Sequence, residues 1–397
     1  MNTFKIDTRT NAVRLTPYRR ISTPFCGRFA NSNTANYRSS VLNASLQMRE
    51  VLEHLIDRKD LPEAQAEHTL KALLDDFVAE QASAFLVLLR AKGETPAEIA
   101  GLARAMLDRG LKVSTPMDVV DIVGTGGDGI GSVNISTGAS IIAAAAGAKV
   151  AKHGNRSVSS LCGSADVLEA LGIAIDIGPD GVTSCLQEAG IAFMYAPRYH
   201  PAMKAVRPVR AALKVRTALN MLGPLLNPAH AAYGLVGVYS TSISDLMAGS
   251  LLQLGLKKAL VVHSAGLDEL TPMAPAEVVE VVAGVPGLKK YQLDPLSLGI
   301  PRCEVEDLKG GDAALNARIL QDVMGGQQGA VADALNLNAG VALAACQVAS
   351  SPAEGVAMAQ EMQKSGRAAT VLSKWIEASK AAAVRESSQE LNSVVKR

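Results

Sequence analysis

The chain of 397 residues is 48% apolar, 19% charged and 4% aromatic, with 34 Gly and 17 Pro, which excludes a disordered linker and implies close-packed cores of Ala, Val, Leu and Ile over about two to three domains. Lys+Arg 39 against Asp+Glu 38 leaves a net charge of +1, too little for the broad cationic field that nucleic acid or a membrane surface attracts, so any polyanion bound here is small and locally held. Five cysteines, Cys26, Cys162, Cys185, Cys303 and Cys346, stand without CxxC pairing, which argues against a structural zinc and a disulfide framework.

In chain order, residues 1–44 carry seven Lys or Arg (Lys5, Arg9, Arg14, Arg19, Arg20, Arg28, Arg38) and one acid, Asp7, leaving the remainder net acidic at −5. This stretch is rich in Ser, Thr and Asn and lacks an apolar run of signal-peptide length, the composition of an organelle transit peptide; a disordered extension is the alternative. From 45 to 112 the spacing is helical, with Val51, Leu52, Leu55 and Ile56 on one stripe and Leu70, Leu73, Leu74 and Phe77 on another. Further helices are expected at Ala84–Arg90 and Ile99–Leu107, and Pro62 and Pro96 sit where helix starts tolerate them. Residues 113–385 alternate between strand-like and helix-like segments. Strands are expected at Asp118–Val123, Val150–His153, Ile173–Ile177, Ile191–Tyr195, Leu235–Tyr239, Ala259–His263 and Val278–Val282. Helical patterns return at Ala313–Met324, Asn338–Val348, Pro352–Lys364 and Thr370–Lys380, and residues 386–397 read as a flexible polar tail. The fold class is therefore α/β: a small N-terminal helical domain plus a larger, mostly parallel sheet flanked by helices. No run reaches the ~20 apolar residues of a membrane span.

The densest chemical signal is residues 121–137, where a strand runs into Gly124, Gly126, Gly127, Gly129 and Gly131, interleaved with Thr125, Ser132, Asn134, Ser136 and Thr137. Such a loop turns tightly, presents backbone N–H groups and leaves room for an anion, and a helix starting near Ser136 adds its positive end. It is not a nucleoside-triphosphatase loop, because no Gly-Lys-Ser/Thr follows, and it fits the dinucleotide fingerprint poorly. A second donor-rich stretch, Lys152 to Ser160 and then Gly163 to Asp166, follows the next strand and so falls on the same sheet edge, where open α/β sheets bind ligands. Tyr199 to Met203, then Arg207, Arg210 and Arg216, then Leu222 to Pro228 come next; spacing alone does not single out one arginine as a carboxylate clamp. Asp268 and Glu269, at another strand end, form a plausible Mg²⁺ pair, since that ion takes one or two carboxylates plus substrate phosphate. Cys162 reads as a small filler residue rather than a nucleophile.

GTGGD (124–128), NIST (134–137), KHGNRSVSS (152–160), GSAD (163–166), HPAMK (200–204), RTALNMLGPLLNP (216–228), GLDEL (266–270) and GGDAALNA (310–317) occur in one order along the chain. In these blocks, from about Val41 to Lys380, the sequence resembles the anthranilate phosphoribosyltransferases. The resemblance implies a Mg²⁺-dependent pentosyltransferase of tryptophan synthesis, a homodimer formed through its helical domain, with no nucleic-acid or membrane partner. It further implies that the donor, phosphoribosyl pyrophosphate, is held by Gly124, Gly127, Asp128, Ser132, Asn134, Ile135, Ser136, Thr137, Lys152, His153, Gly154, Asn155, Arg156, Ser157, Val158, Ser159, Ser160 and Ser164. By the same resemblance Ser136, Asp268 and Glu269 are metal ligands, Gly124, Asn155, His200 and Arg210 contact anthranilate, Asn155 and Arg210 are the catalytic positions, and His153 and His200 line the acceptor path. Ala276 stands where the family commonly has Thr, and residues 1–44 have no counterpart in its bacterial pattern. A plastid is the expected location, with the mitochondrion or cytoplasm as alternatives.

The chemistry agrees with the resemblance. Departure of pyrophosphate builds negative charge on the leaving oxygens and cationic character on the sugar, so fixed donors and a cation aimed at that charge are the main requirement. The nucleophile is a neutral aromatic amine, so positioning dominates and no single general base is nominated. A pyrimidine nucleoside phosphorylase is the enzymatic rival, and a catalytically silent nucleic-acid binder of the same fold is the other; the acidic balance after residue 44 disfavours the latter.

Overall fold

The structure, a computed structural model, describes residues 48–127, 129–157 and 161–395. The transit reading of residues 1–44, and Asp128, Val158, Ser159 and Ser160, lie outside the described residues. The chain opens with α1 (residues 48–56), α2 (Glu63–Asp75), α3 (Ala79–Lys92) and α4 (Pro96–Asp108). Thr95 begins α4 with a reciprocal cap, its Oγ1 accepting from Glu98 N and its N donating to Glu98 Oε2 at 2.8 Å. The same buried Glu98 carboxylate accepts from Leu61 N at 2.8 Å and Lys92 Nζ at 3.0 Å, so one side chain joins the start of α2 and the end of α3 to α4.

The sheet domain then runs β1 (Val120–Gly124), α5 (Ile135–Ala145), β2 (Val150–Gly154), α6 (Ser164–Ala170), α7 (Pro179–Glu188), β3 (Ile191–Tyr195), α8 (Ala196–Tyr199), α9 (Met203–Leu213), β4 (Tyr233–Gly237), α10 (Ser244–Gln253), β5 (Lys258–His263), β6 (Ala276–Val282) and β7 (Lys289–Leu293). It ends with α11 (Ala313–Met324), α12 (Ala330–Ala345), α13 (Pro352–Lys364) and α14 (Arg367–Val395). The strands form one seven-stranded sheet in the order β3-β2-β1-β4-β5-β6-β7, parallel through β5 and antiparallel at β6 and β7. The chain winds outward from β1 to β3, then restarts on the other side of β1 with β4. That reversal opens a crevice at the carboxyl ends of β1 and β4.

Strand alternation divides the core. Leu235, Leu260, Val262 and Val278 join a cluster with α5, α7 and α11–α14, whereas Val236, Ala259, Val261 and Val279 join Leu55, Phe85, Leu102 and Met106 of the first helices together with Val206, Val209, Met247 and Leu251. The N-terminal helices thus share their core with α9, α10 and one sheet face; the chain boundary near 112 is not a boundary in packing.

Two expectations are corrected, and one strand is added to them. Residues 173–177 form no strand: Ile173, Ile175 and Ile177 are buried, but Ala174 N donates to Ser379 Oγ of α14 at 3.1 Å, so a helix side chain takes the role of a neighbouring strand. Strand β7, Lys-Lys-Tyr-Gln-Leu, was not read from the sequence because its charged, exposed residues suit an edge rather than an apolar run. The polar tail from 386 is not frayed at its start: α14 continues through Val395, and Glu386 accepts from Gly178 N at 3.0 Å and pairs with Arg198.

Candidate active site

β1 ends at the crevice in Gly124, and the following turn is tethered from three sides. Thr125 N donates to Gly237 O at 3.0 Å, Thr125 Oγ1 accepts from Tyr239 N at 3.1 Å, and Gly126 N donates to Asp268 Oδ2 at 2.5 Å. Gly126 and Gly127 have φ of +72° and +87°, backbone that side chains resist. Glycine is also required by proximity. A Cβ on Gly124 would lie 2.3 Å from Asp268 Oδ2, and one on Gly237 would lie 1.6 Å from the Asp268 carbonyl oxygen. The segment holding Asp268 and Glu269 is therefore pressed against the ends of β1 and β4.

Glu269 Oε1 accepts from Ser136 N at 3.2 Å, in the first turn of α5, so both carboxylates meet the glycine turn and a helix N-terminus. Burial, followed by the Asp268 charge, pushes the Glu269 carboxyl well above the ordinary range. Two adjacent, partly desolvated carboxylates beside the Ser136 hydroxyl are the groups here that could hold a divalent cation. Among the described residues no cluster of three or more His, Cys, Asp or Glu side chains forms, so such a cation would depend on ligands beyond protein carboxylates. Thr137 Oγ1, next on α5, is buried without a hydrogen-bond partner, a polar atom that a bound oxyanion would satisfy. Ile135 is wholly buried, so its side chain belongs to the core. Ser132 bridges to Lys309, and Asn134 donates to Cys162 O at 3.1 Å while accepting from Asn316 Nδ2 at 2.9 Å.

The second loop is shaped by its own charges. Lys152 is buried, and its Nζ donates to Ile122 O at 2.6 Å; burial lowers its pKa against the pull of Asp121 and Glu269. Asp121, also buried, is pushed up to about 6 by desolvation, and it accepts from Asn227 Nδ2 at 2.7 Å and His153 N at 3.3 Å. Arg156 pairs with Asp166 at 2.9 Å and Glu169 at 2.5 Å, and its Nε donates to Tyr195 OH at 3.3 Å. Asp166 in turn accepts from Ser157 N and Gly163 N. The sequence reading put both cations on phosphate oxygens; the structure commits Arg156 to two carboxylates and Lys152 to the β1 backbone. What the loop displays instead is the exposed Asn155, beyond the strand end at Gly154, and Ser164 opening α6.

On the other side lie His153 and His200, rings 5.0 Å apart and edge to face. Both are buried. His153 Nδ1 pairs with Gly223 O at 3.2 Å and His200 Nε2 with Leu226 O at 2.7 Å, while His153 Nε2 and His200 Nδ1 have no partner. Burial depresses both, to about 3 and about 4. His200 is thus an inward-facing, buried ring rather than an exposed side chain. Arg210, on the last turn of α9, has neither a hydrogen bond nor an ion pair among the described residues, and surrounding atoms shield it enough to lower its guanidinium from the ordinary range.

A family model described as "Glycosyl transferase family, a/b domain" matches residues 116–369, and one described as its helical bundle domain matches residues 49–110. The chain is 44% identical over 326 residues to the anthranilate phosphoribosyltransferase of Chlamydia felis, covering 82% of this chain and 94% of that protein. It belongs to the anthranilate phosphoribosyltransferases. Among solved structures of the family, the Thermus thermophilus enzyme aligns with a TM-score of 0.79 at 41% identity, over 83% of this chain and 99% of its own. The Saccharomyces cerevisiae enzyme, solved in complex with PRPP and Mg, aligns with a TM-score of 0.77 at 27% identity over 84% and 98%.

Three side chains that shape this family site here were not singled out from the sequence. Asn227 ties Asp121 to Ala151 O at 2.8 Å and so joins β1 to β2 beneath the loops. Asn316 holds Asn134 and accepts from Gly311 N at 2.7 Å, which is what the late GGDAALNA block contributes. Arg216 donates to Gly127 O at 2.9 Å with its guanidinium carbon 3.7 Å from the centre of the Tyr239 ring. All three stood inside quoted motifs, but only tertiary contacts distinguish them from their neighbours.

Proposed function

We propose that this protein is an anthranilate phosphoribosyltransferase: it transfers the phosphoribosyl group of PRPP to the amine of anthranilate and releases pyrophosphate, the second step from chorismate to L-tryptophan. The observation that carries the reading is the convergence of the glycine turn, the α5 N-terminus and the Asp268–Glu269 pair at the β1/β4 switch point. The raised Glu269 carboxyl beside Asp268 is a donor set that a hard cation would stabilise, so the residues fit Mg²⁺, with Asp268, Glu269 and Ser136 as its holders. Bound there with the donor, it supplies charge neutralisation for the departing pyrophosphate.

The chain's own groups do the rest. The space left by the glycine turn and the positive end of α5, with the hydroxyls of Ser132, Ser136, Thr137 and Ser164, hold the donor's phosphate oxygens and favour the charge that grows as the C1–oxygen bond breaks. Arg210, without a partner among the described residues, pairs with the anthranilate carboxylate through its planar fork, and Asn155 orients the acceptor beside it. The amine then forms the new C1–nitrogen bond, the electron pair of the broken bond leaves with pyrophosphate, and the proton the nitrogen sheds passes to the departing pyrophosphate or to solvent. The neutral, buried His153 and His200 shape the acceptor path without adding charge to it. The composition of residues 1–44 supports extending the reading to import into an organelle, and the resemblance to the family supports a plastid, with the mitochondrion or cytoplasm as alternatives, and a homodimer formed through the helical domain. The test is loss of anthranilate fluorescence on adding PRPP and Mg²⁺; no decay with the unmodified protein sinks the assignment, while release of free base from a pyrimidine nucleoside and phosphate would favour the rival phosphorylase.

A further inference from the structure

We infer that Arg216 is a positioning residue for the donor loop, holding the Gly127 carbonyl while the Tyr239 ring holds its guanidinium. The inference rests on the phosphoribosyl-transfer reading above and adds a residue to it. Tethers at Thr125 and Gly126 come from Gly237, Tyr239 and Asp268. At Gly127, the next residue, the tether is Arg216 Nη2 at 2.9 Å. Gly127 has a φ of +87°, and glycine peptides rotate at little cost, so the direction of this carbonyl is set by what binds it. Holding this carbonyl therefore fixes the backbone conformation of Gly127 and, with it, the shape of the turn that meets an anion.

Tyr239 meets the loop twice, through its N–H at Thr125 Oγ1 and through its ring, 3.7 Å from the Arg216 guanidinium carbon. A planar guanidinium stacks on such a face as an ammonium does not. The backbone on either side of Arg216 is also fixed. Lys214 ends α9 in the left-handed region at φ 52°, and Thr217 N donates to Asn220 Oδ1 at 3.0 Å to start the following turn. Unlike Arg156, Arg216 has no carboxylate partner among the described residues, so its charge remains available to the field at the loop.

The experiment is steady-state kinetics of the full chain with PRPP and anthranilate varied separately, for Arg216→Ala, Tyr239→Leu and Tyr239→Phe, with thermal melts of each. Arg216→Ala and Tyr239→Leu are expected to raise the KM for PRPP about tenfold, the loss of one charge-assisted hydrogen bond, with the KM for anthranilate and the melting temperature unchanged. Tyr239→Phe, which keeps the ring, should match the unmodified protein. An unchanged KM for PRPP in Arg216→Ala, an equal rise for both substrates, or damage by Tyr239→Phe equal to that of Tyr239→Leu overturns the inference. Should Arg216→Ala fail to fold, Tyr239→Leu carries the same comparison. Absence of turnover in the unmodified protein would instead remove the function on which the inference stands.

Discussion

Arg156 and Arg210 are both exposed arginines in loops or helix ends that border the site, yet they are used in opposite ways. Arg156 is consumed by Asp166, Glu169 and Tyr195, and in the same loop Lys152 turns inward to the β1 backbone. Among the described residues Arg210 has no hydrogen bond or ion pair, and His153 Nε2 and His200 Nδ1 are likewise unpaired. The loops after β1 and β2 spend these charged side chains on holding their own shape, and on the proposed function hydroxyls and the α5 N-terminus are left to meet phosphate. The acceptor side keeps charge and polar atoms unspent, so its specificity comes from what a ligand brings. Perturbing the buried backbone on which the first is built should cost stability and activity together; perturbing the second should separate them.

The hardest blow to the donor side is Gly237→Ala. Its Cβ would sit 1.6 Å from the Asp268 carbonyl oxygen and 2.3 Å from the carbonyl carbon, backbone that cannot swing away. Denaturant unfolding should show a loss of about 3 kcal/mol or more, with turnover falling in parallel. A fully stable, fully active variant would show that the Asp268 segment is not pressed on β4.

The histidine pair gives the next largest effect, in a defined pH window. Both are depressed in the folded chain, to about 3 and about 4, from about 6.5 when unfolded. Between pH 6.5 and 4 the unfolded chain therefore binds more protons, and stability falls as pH falls, by on the order of 2–3 kcal/mol per histidine at pH 4. Asp121, raised to about 6, opposes this over part of the range, so the comparison is made between variants. His200→Asn should flatten the fall between pH 6.5 and 4 relative to the unmodified protein; identical slopes would refute the buried-neutral assignment.

Arg210→Ala sharpens the contrast from the acceptor side. Removing one member of a ligand charge pair should raise the KM for anthranilate by about thirtyfold or more while the KM for PRPP and the melting temperature stay put. A variant with unaltered anthranilate dependence removes the clamp. Asn316→Ala is the mildest, freeing Asn134 and Gly311 N at a cost of about 1–2 kcal/mol in stability, measurable by denaturant titration.

Much of this was legible before any coordinates. The apolar runs of β2, β3 and β5 and the glycine turn after β1 announce themselves by pattern, and Pro96 and Pro352 mark helix starts where the structure has them. The failures share a physical origin. Ile173, Ile175 and Ile177 alternate like a strand, but that alternation packs against α14, whose side chain supplies the backbone partner. Arg156 looks like a phosphate ligand until Asp166 and Glu169, ten and thirteen residues on, fold back onto it. Composition and period report which groups are present and which face is apolar; they do not report which of two anions, substrate or neighbouring carboxylate, a cation will meet.

The reach of α14 sets a rule for handling the chain. Glu386 anchors Arg198, which also binds Asp176, and it takes the Gly178 amide at the start of α7. Appending a purification handle beyond residue 395 leaves this anchor intact. Cutting the gene short upstream of Glu386 would instead leave the Gly178 amide without its acceptor and Arg198, two residues ahead of His200, with Asp176 alone, loosening the approach to α9 from a point late in the chain.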